Sequence, residues 1–250
     1  MKGISGKPLH ATFIRAPFIV SAGSNVSTLA TLPDGTIVAA QEKNMFVGAD
    51  FTAAAVAGDY ATKYAFLKDK PKKANLEGYL FPDTYEIGKG QTAEDLVGAM
   101  LSNFDKKLAP DLRAEIAKQK KSIFQIITMA SMIEKEVQTP ADKKIMAGIL
   151  WKRIAISMPL QVDATIHYVT DKSDGSVVID TKINSPYNTY KYYGLPPGPI
   201  CNPGIDSILA AIYPTKTDYW YYLSAQKTQK TIFSKTLEEH NAAVVKHLWC

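Results

Sequence analysis

One segment constrains the fold of this 250-residue chain more than any other, the amphipathic stretch SIFQIITMASMIEKEV at positions 122–137. Ser122 followed by Gln125 has the spacing of a capping box, which predicts that a helix begins there. Its apolar side chains fall within an arc of roughly 120° on a helical projection. They are Ile123, Ile126, Ile127, Ala130, Ile133 and Val137. This apolar arc is the predicted core side of the helix.

Glu134 lies on that apolar face, one turn after Ala130. Its neighbour Glu136 is about 110° from the centre of the arc and is predicted to face water or the rim. Because burial of an ionised carboxylate is costly, we expect desolvation to raise the pKa of Glu134. A carboxylic acid still protonated near neutral pH can donate its proton to a leaving oxygen and then act as a base. Alternatively, Glu134 lies at a rim or forms a buried ion pair, for instance with Arg153.

Further helix starts follow the same local chemistry. Thr92 precedes Asp95 by three residues, Thr139 precedes Pro140, and Thr236 precedes Glu239 by three, and each pattern is typical of a helix N-terminus. A short helix is predicted at 205–213. The alternating residues of 219–225 and 231–234 predict a β-hairpin. Residues 171–204 are irregular and rich in proline, which is typical of a loop that forms the wall of a site.

The first 70 residues have a different composition, with short β-type runs at 11–14, 18–21 and 36–39. The turn sequence LPDGT at 32–36 indicates a hairpin, and residues 50–66 are predicted to be helical. A polar run at 68–73 ends this part. The predicted fold class is therefore α+β. It comprises a small α+β N-terminal subdomain at 1–70, followed by a mainly helical domain with a β-hairpin at 75–250.

Charge and cysteine content exclude several classes of function. Lys and Arg number 29 against 24 acidic residues, and the basic residues are scattered as separate doublets. This pattern argues against nucleic acid and suits a partner that carries carboxylates. Neither cysteine has zinc-ligand spacing, so we expect neither a metal nor a cofactor. No run approaches about 18 apolar residues, which leaves open a cytoplasmic protein or one whose anchor lies outside this chain.

Three segments carry candidate ligand-binding residues. Residues 76–85 combine aromatic and acidic side chains that suit the faces of sugars, with Glu77, Tyr79 and Asp83 as candidates; the alternative is a turn packed on the core. Residues 160–168 alternate polar and apolar side chains. Gln161, Asp163 and Thr165 share a face if this segment is extended, whereas only Gln161 and Asp163 stay close if a short helix begins at Asp163. The third segment is a proline-containing loop that presents Tyr187, Asn188, Thr189 and Tyr190.

These segments together resemble the YceG-like (MltG) family of endolytic murein transglycosylases. The similar stretches are LEGYLFPDTYEI (76–87), MASMIEKEV (129–137), LQVDATIHYV (160–169), SPYNTYKYYGLPPGPICNPG (185–204) and IFSKTLEEHN (232–241). They occur in the order typical of the family and cover about 75–250. The resemblance implies lytic cleavage of the MurNAc–GlcNAc bond of peptidoglycan, which leaves 1,6-anhydro-MurNAc ends. It also implies that Glu134 is the catalytic acid and base.

The resemblance carries further expectations. It implies that residues 1–70 form a LysM-like subdomain, and that a single membrane-spanning anchor precedes it in the full-length protein. The protein would then act at the extracytoplasmic face of the bacterial cytoplasmic membrane. The expected partners are peptidoglycan glycan strands and, among proteins, penicillin-binding proteins and other wall-synthesis machinery.

Three other functions compete with the lytic reaction. A hydrolase needs a second carboxylate, which Asp163 or Glu77 could supply. A non-catalytic peptidoglycan-binding module would keep the aromatic loops without requiring Glu134 to titrate. A pyridoxal-phosphate lyase would need a Schiff-base lysine and a phosphate loop. It is the weakest of the three, because Lys135 lies roughly 150° from the apolar face of its helix and no glycine-rich loop is evident.

Overall fold

The structure is a computed structural model that describes residues 59–87, 91–170, 180–225 and 230–248, together with four short strands before residue 47. Seven helices lie in these ranges. They are α1 (Ala93–Lys107), α2 (Pro110–Lys118), α3 (Ile123–Glu136), α4 (Pro140–Ala155), α5 (Asp163–Thr170), α6 (Ile205–Ile212) and α7 (Leu237–Leu248). Among the described residues, none of the helices combines the length and the apolar character needed to cross a bilayer.

Strand pairing in the first part of the chain agrees with part of the sequence prediction. The strands are β1 (Val20–Ala22), β2 (Ala30–Thr31), β3 (Ile37–Ala40) and β4 (Met45–Phe46). β2, β3 and β4 form an antiparallel sheet, so the predicted hairpin strands do pair, although the turn at 32–36 lies outside the described residues. β1 instead pairs in parallel with β5 (Tyr85–Ile87). The run at 11–14 also lies outside the described residues, and the LysM-like subdomain and the division of the chain at 70–75 stay predictions.

The α-helix predicted over 50–66 is wrong where the structure describes it. Residues 59–64 form a turn, and a short 3₁₀ helix follows at Ala65–Leu67. Phe66 and Leu67 are both buried, although they are adjacent in sequence. The ring of Phe66 lies 4.8 Å from that of Phe104 in α1. Tertiary packing of two neighbouring apolar side chains therefore outweighs the local helical pattern.

Helix starts were the most predictable feature of the fold. The predicted capping boxes form at Thr92 with Asp95 and at Ser122 with Gln125. The Thr139 side chain accepts a hydrogen bond from the Asp142 N–H, with Pro140 at the first helical position. The C-terminal hairpin is confirmed as β6 (Tyr221–Ala225) paired with β7 (Lys230–Ser234). Each cap satisfies backbone N–H groups that lack partners within the helix.

Helix α3 lies at the centre of the helical domain, and its predicted apolar face is buried. It contacts α2, α4, α5 and α6, and every residue from Ile126 to Ile133 is buried. Its two hydroxyl side chains in this stretch are satisfied locally. Thr128 donates to the Phe124 carbonyl, and Ser131 donates to the Thr128 carbonyl. The Ser131 oxygen also accepts a 3.0 Å hydrogen bond from the Ile200 N–H, which holds the proline-rich loop against the helix.

Segment 76–82 packs between α3 and that loop, and Gly78 makes this possible. Its φ of +92° favours glycine. A Cβ atom at position 78 would lie 2.6 Å from atoms of both Ile127 and Pro199. The Asn202 side-chain oxygen accepts hydrogen bonds from the N–H groups of Gly78 (2.7 Å) and Leu80 (3.0 Å). These contacts join three distant parts of the sequence at one place.

Substitution of Gly78 by Ala should therefore lower the free energy of unfolding by about 2–4 kcal/mol, because backbone strain and overpacking add. Urea denaturation would measure this change. Gly98→Ala is the matched control, because a Cβ there meets no atom within 4 Å, and alanine in a helix interior should stabilise by roughly 0.5–1 kcal/mol. Equal unfolding midpoints for the two variants would contradict this account of segment 76–82.

Candidate active site

Glu134 lies in the last turn of α3, between α4 and α6. Its carboxylate accepts a 2.9 Å hydrogen bond from the Lys143 ammonium of α4 and a short hydrogen bond from the Ser207 hydroxyl of α6. The N–H of Gly204, just before α6, donates a further hydrogen bond. The Lys143 side chain is only 9% exposed, whereas that of Glu134 is 31% exposed. The carboxylate is thus held on its inner side and still open to solvent on the other.

The prediction that the pKa of Glu134 is raised is wrong. Burial does raise it, but hydrogen bonds from Ser207 and Lys143, the Lys143 charge and the Gly204 N–H together outweigh burial. The pKa of Glu134 therefore lies below its ordinary value. The alternative of an ion pair is confirmed, although the partner is Lys143. Arg153 instead donates to the carbonyl oxygens of Trp220 and Leu160.

Glu136 keeps part of its surface exposed, which agrees with the predicted position facing water or the rim, but its hydrogen-bond partners are not predicted from the sequence. The residue is partly buried, and its carboxylate accepts a 3.0 Å hydrogen bond from the Ala164 N–H of α5. Burial raises the pKa of Glu136 to about 7, and the nearby Asp163 carboxylate adds to the rise. A projection of one helix cannot reveal these partners, because they lie on α5 and β6, far from Glu136 in sequence.

A second acidic group lies on the 76–82 segment. Glu77 is buried, and its carboxylate accepts a 2.6 Å hydrogen bond from the Tyr168 hydroxyl of α5. The Tyr168 ring lies 4.9 Å from the ring of Tyr187, which is partly exposed. Glu77, Tyr168 and Tyr187 therefore form a connected group, which we call the Glu77 cluster.

Cys201 lies close to both acidic groups. Its buried thiol donates a 3.3 Å hydrogen bond to the Ser131 carbonyl of α3. Burial is the main reason that the pKa of this thiol is raised, and the carboxylates of Glu134 and Glu77 each add to the rise. The buried Cys201 thiol therefore lies within electrostatic reach of Glu134 and of Glu77 in the Glu77 cluster.

Residues 160–170 adopt the helical alternative, since α5 begins at Asp163. Gln161 precedes it with a φ of +52°, which is unusual for a residue with a side chain. Its N–H donates to the Thr189 carbonyl, and its side chain is exposed. Asp163 accepts a short hydrogen bond from the Tyr190 hydroxyl. Loop 185–190 is thereby attached to the start of α5.

Besides Glu77, four of the predicted ligand-binding residues are buried, and three of these four are hydrogen-bonded within the protein. Thr165 donates to the Val162 carbonyl and lies 3.0 Å from the Thr189 hydroxyl, which accepts from the Val162 N–H. Asn188 donates to the carbonyl oxygens of residues 181 and 183. Tyr79 is fully buried against Phe66. In this conformation these four side chains shape the loops, whereas Gln161, Asp163, Tyr187 and Tyr190 keep exposed surface.

Comparison with known proteins identifies the family of the chain. Residues 18–246 match the model of the YceG-like family. The chain belongs to the YceG-like family. The endolytic murein transglycosylase of Bacillus subtilis is 42% identical over 182 residues, which are 72% of this chain and 50% of that protein. The protein of the same name from Streptococcus pneumoniae is 37% identical over 188 residues, which are 73% of this chain and 34% of that protein.

A solved structure of a YceG-like protein from Listeria monocytogenes superimposes with a TM-score of 0.70 at 39% identity, covering 79% of this chain and 67% of that one. The chain spans only one third to one half of the length of the curated relatives above. A separate, short similarity of 47% over 45 residues relates 18% of the chain to the pyridoxal 5′-phosphate synthase subunit PdxT of Dehalococcoides mccartyi.

Removal of the Lys143 charge should raise the pKa of Glu134, because burial would then be opposed by fewer favourable contacts. We expect Lys143→Met to move the titration of the Glu134 side-chain carboxyl, followed by ¹³C NMR, to higher pH. Lys144→Met is the matched control, since Lys144 is the exposed next residue of α4, and it should leave the titration unchanged. An unchanged titration in Lys143→Met would show that the ion pair does not set the charge of Glu134.

Proposed function

We propose that this chain is the catalytic part of an endolytic lytic transglycosylase that cleaves the MurNAc–GlcNAc bonds of peptidoglycan strands, with Glu134 as acid and base. The observation that carries the proposal is the Glu134 carboxylate itself. Lys143 and Ser207 hold it from one side, and the other side is open to a ligand. Membership of the YceG-like family and the names of the curated relatives support the choice of peptidoglycan.

The reaction begins with a proton on Glu134. The group is ionised in the free protein, so a bound strand must favour its protonated form. A glycan over the exposed face would remove water from the carboxyl and raise its pKa, because burial disfavours the charged state. Glu134 then donates its proton to the bridging oxygen as the bond between that oxygen and C1 of MurNAc breaks.

The second step returns the proton. The C6 hydroxyl of the same MurNAc attacks C1, a new C1–O6 bond closes the anhydro ring, and the hydroxyl proton passes to Glu134. Because the nucleophile belongs to the substrate, its effective concentration is high and no second carboxylate is required. Between the two transfers Glu134 is an anion, and the Lys143 ammonium and Ser207 hydroxyl stabilise that anion.

The partly exposed side chains near these elements are the proposed glycan contacts. Tyr187, stacked beside Tyr168, offers an aromatic surface, while Gln161, Asp163 and Tyr190 offer polar groups. The buried Glu77 would act through Tyr168, whose hydroxyl donates a hydrogen bond to the Glu77 carboxylate. We further propose that the full-length protein acts outside the cytoplasmic membrane on an anchor, beside penicillin-binding proteins, as is expected for its family.

Glu134→Gln tests the assignment directly, because the amide keeps the shape but cannot donate and recover a proton. Purified glycan strands are digested and their ends identified by mass spectrometry. The wild type should give 1,6-anhydro ends, and Glu134→Gln should lose roughly 100- to 10,000-fold in rate. Glu94→Gln, an exposed carboxyl of α1, should match the wild type. Reducing ends would indicate a hydrolase, and absence of cleavage by the wild type would indicate a binding module.

Because the reaction needs a proton on Glu134, its rate should depend on pH. Activity should fall as pH rises and Glu134 loses its proton. The profile of kcat/KM reports this group in the free enzyme, and that of kcat reports it in the complex. Because the bound strand desolvates Glu134, the alkaline fall of kcat should occur at higher pH than that of kcat/KM. Coincident profiles, measured by chromatography of released fragments, would contradict a proton gained on binding.

A further inference from the structure

Glu136 is bonded to two neighbouring elements but has no part in the reaction steps above. Its carboxylate accepts hydrogen bonds from the Ala164 N–H at the start of α5 and from the Tyr222 hydroxyl of β6. Its backbone carbonyl accepts a 2.8 Å hydrogen bond from the Ser224 hydroxyl, also on β6. One residue therefore joins the last turn of α3, which carries Glu134, to α5 and to the hairpin.

Charged and titratable groups surround Glu136 from each of these elements. From α5, Asp163 lies near enough for its charge to disfavour a second anion, and the Tyr190 hydroxyl of loop 185–190 donates to Asp163. From α4, the Arg153 guanidinium acts electrostatically on Tyr190 and Tyr222. The Glu136 carboxylate thus lies where α3, α5 and β6 meet, and Asp163, one of the proposed glycan contacts, is beside it.

A carboxylate in this position costs stability when it is ionised. With a pKa of about 7 in the folded protein against an ordinary value of 4.5, the folded state binds the proton more tightly than the unfolded state. The stability contributed by the neutral form is complete below about pH 4.5 and is lost as pH rises to about 7. Buried ionic groups are in several proteins retained for structural specificity at the expense of stability. By analogy with those proteins, the stability cost of Glu136 favours a role in holding the neighbouring elements in place.

We propose that Glu136 is a positioning residue for glycan cleavage, whose ionised carboxylate holds α5 and the β6–β7 hairpin against the turn of α3 that carries Glu134. The inference rests on the proposed function. Hydrogen bonds to a charged acceptor are about twice as strong as neutral ones, so proton uptake by Glu136 loosens both contacts. Glu136→Gln keeps the shape and stays neutral at every pH.

The test is the ratio of kcat/KM of the wild type to that of Glu136→Gln between pH 5.5 and 8.5, on purified glycan strands. We expect a ratio near 1 at pH 5.5, where Glu136 is itself neutral, and a rise through about pH 7 to roughly tenfold at pH 8.5. Because the titration of Glu134 affects both proteins, it cancels in the ratio. If the variant lost activity only because its local structure changed, the ratio of kcat/KM would be the same at every pH.

The stability of Glu136→Gln provides an independent test, because it should change in the opposite direction to the activity. Glu136→Gln should raise the urea midpoint above that of the wild type at pH 8 and leave it nearly unchanged at pH 4.5, because only the ionised form is costly. The proposal therefore predicts a variant that is more stable and less active at the same pH. A ratio of kcat/KM that is flat with pH, or that falls as pH rises, would overturn it.

Tyr222→Phe provides a second variant that leaves Glu136 in place and removes one donor. The ratio of kcat/KM of the wild type to that of Tyr222→Phe should rise with pH in the same way. A ratio that does not rise with pH would also overturn the proposal. Failure of the proposed function is a separate result. Reducing ends, or activity in Glu134→Gln, would overturn the lytic assignment while the pH dependence of these ratios still decides the role of Glu136.

Discussion

The ion pair between Glu134 and Lys143 is the interaction on which the functional account depends. It requires α3 to end beside α4 and α6, so that Lys143 and Ser207 reach the same carboxylate oxygen. That approach depends in turn on the burial of α3 from Ile126 to Ile133. The apolar packing of one helix thereby sets the charge of the group that we propose carries the chemistry.

Two acidic residues on one helix have opposite electrostatic environments. Glu134 is partly open but well supplied with donors, so its pKa lies below the ordinary value. Glu136 has an N–H and a phenol as donors and a carboxylate nearby, so burial prevails and its pKa rises to about 7. Only the first has solvent access together with a cation. Glu134 is therefore assigned to react, and Glu136 to position the site.

Local sequence signals predicted the fold where the chemistry is local. The capping boxes at Thr92 and Ser122 involve residues three apart, and each formed as predicted. The partners of Glu134 are different in kind, because Ser207 lies 73 positions later and no short-range pattern connects the two. Tyr79 shows the same limit, since its aromatic character suits a sugar or a core equally, and its contact with Phe66 decides for the core.

In the proposed reaction Glu134 is an anion in the free protein and gains a proton when glycan covers it. The most direct measurement is the ¹³C chemical shift of its side-chain carboxyl at pH 7, with and without a saturating glycan product that has an anhydro end. We expect the shift of a carboxylate in the free protein and a move toward the protonated form in the complex. A carboxyl that is already protonated when free, or that does not change on binding, would contradict it.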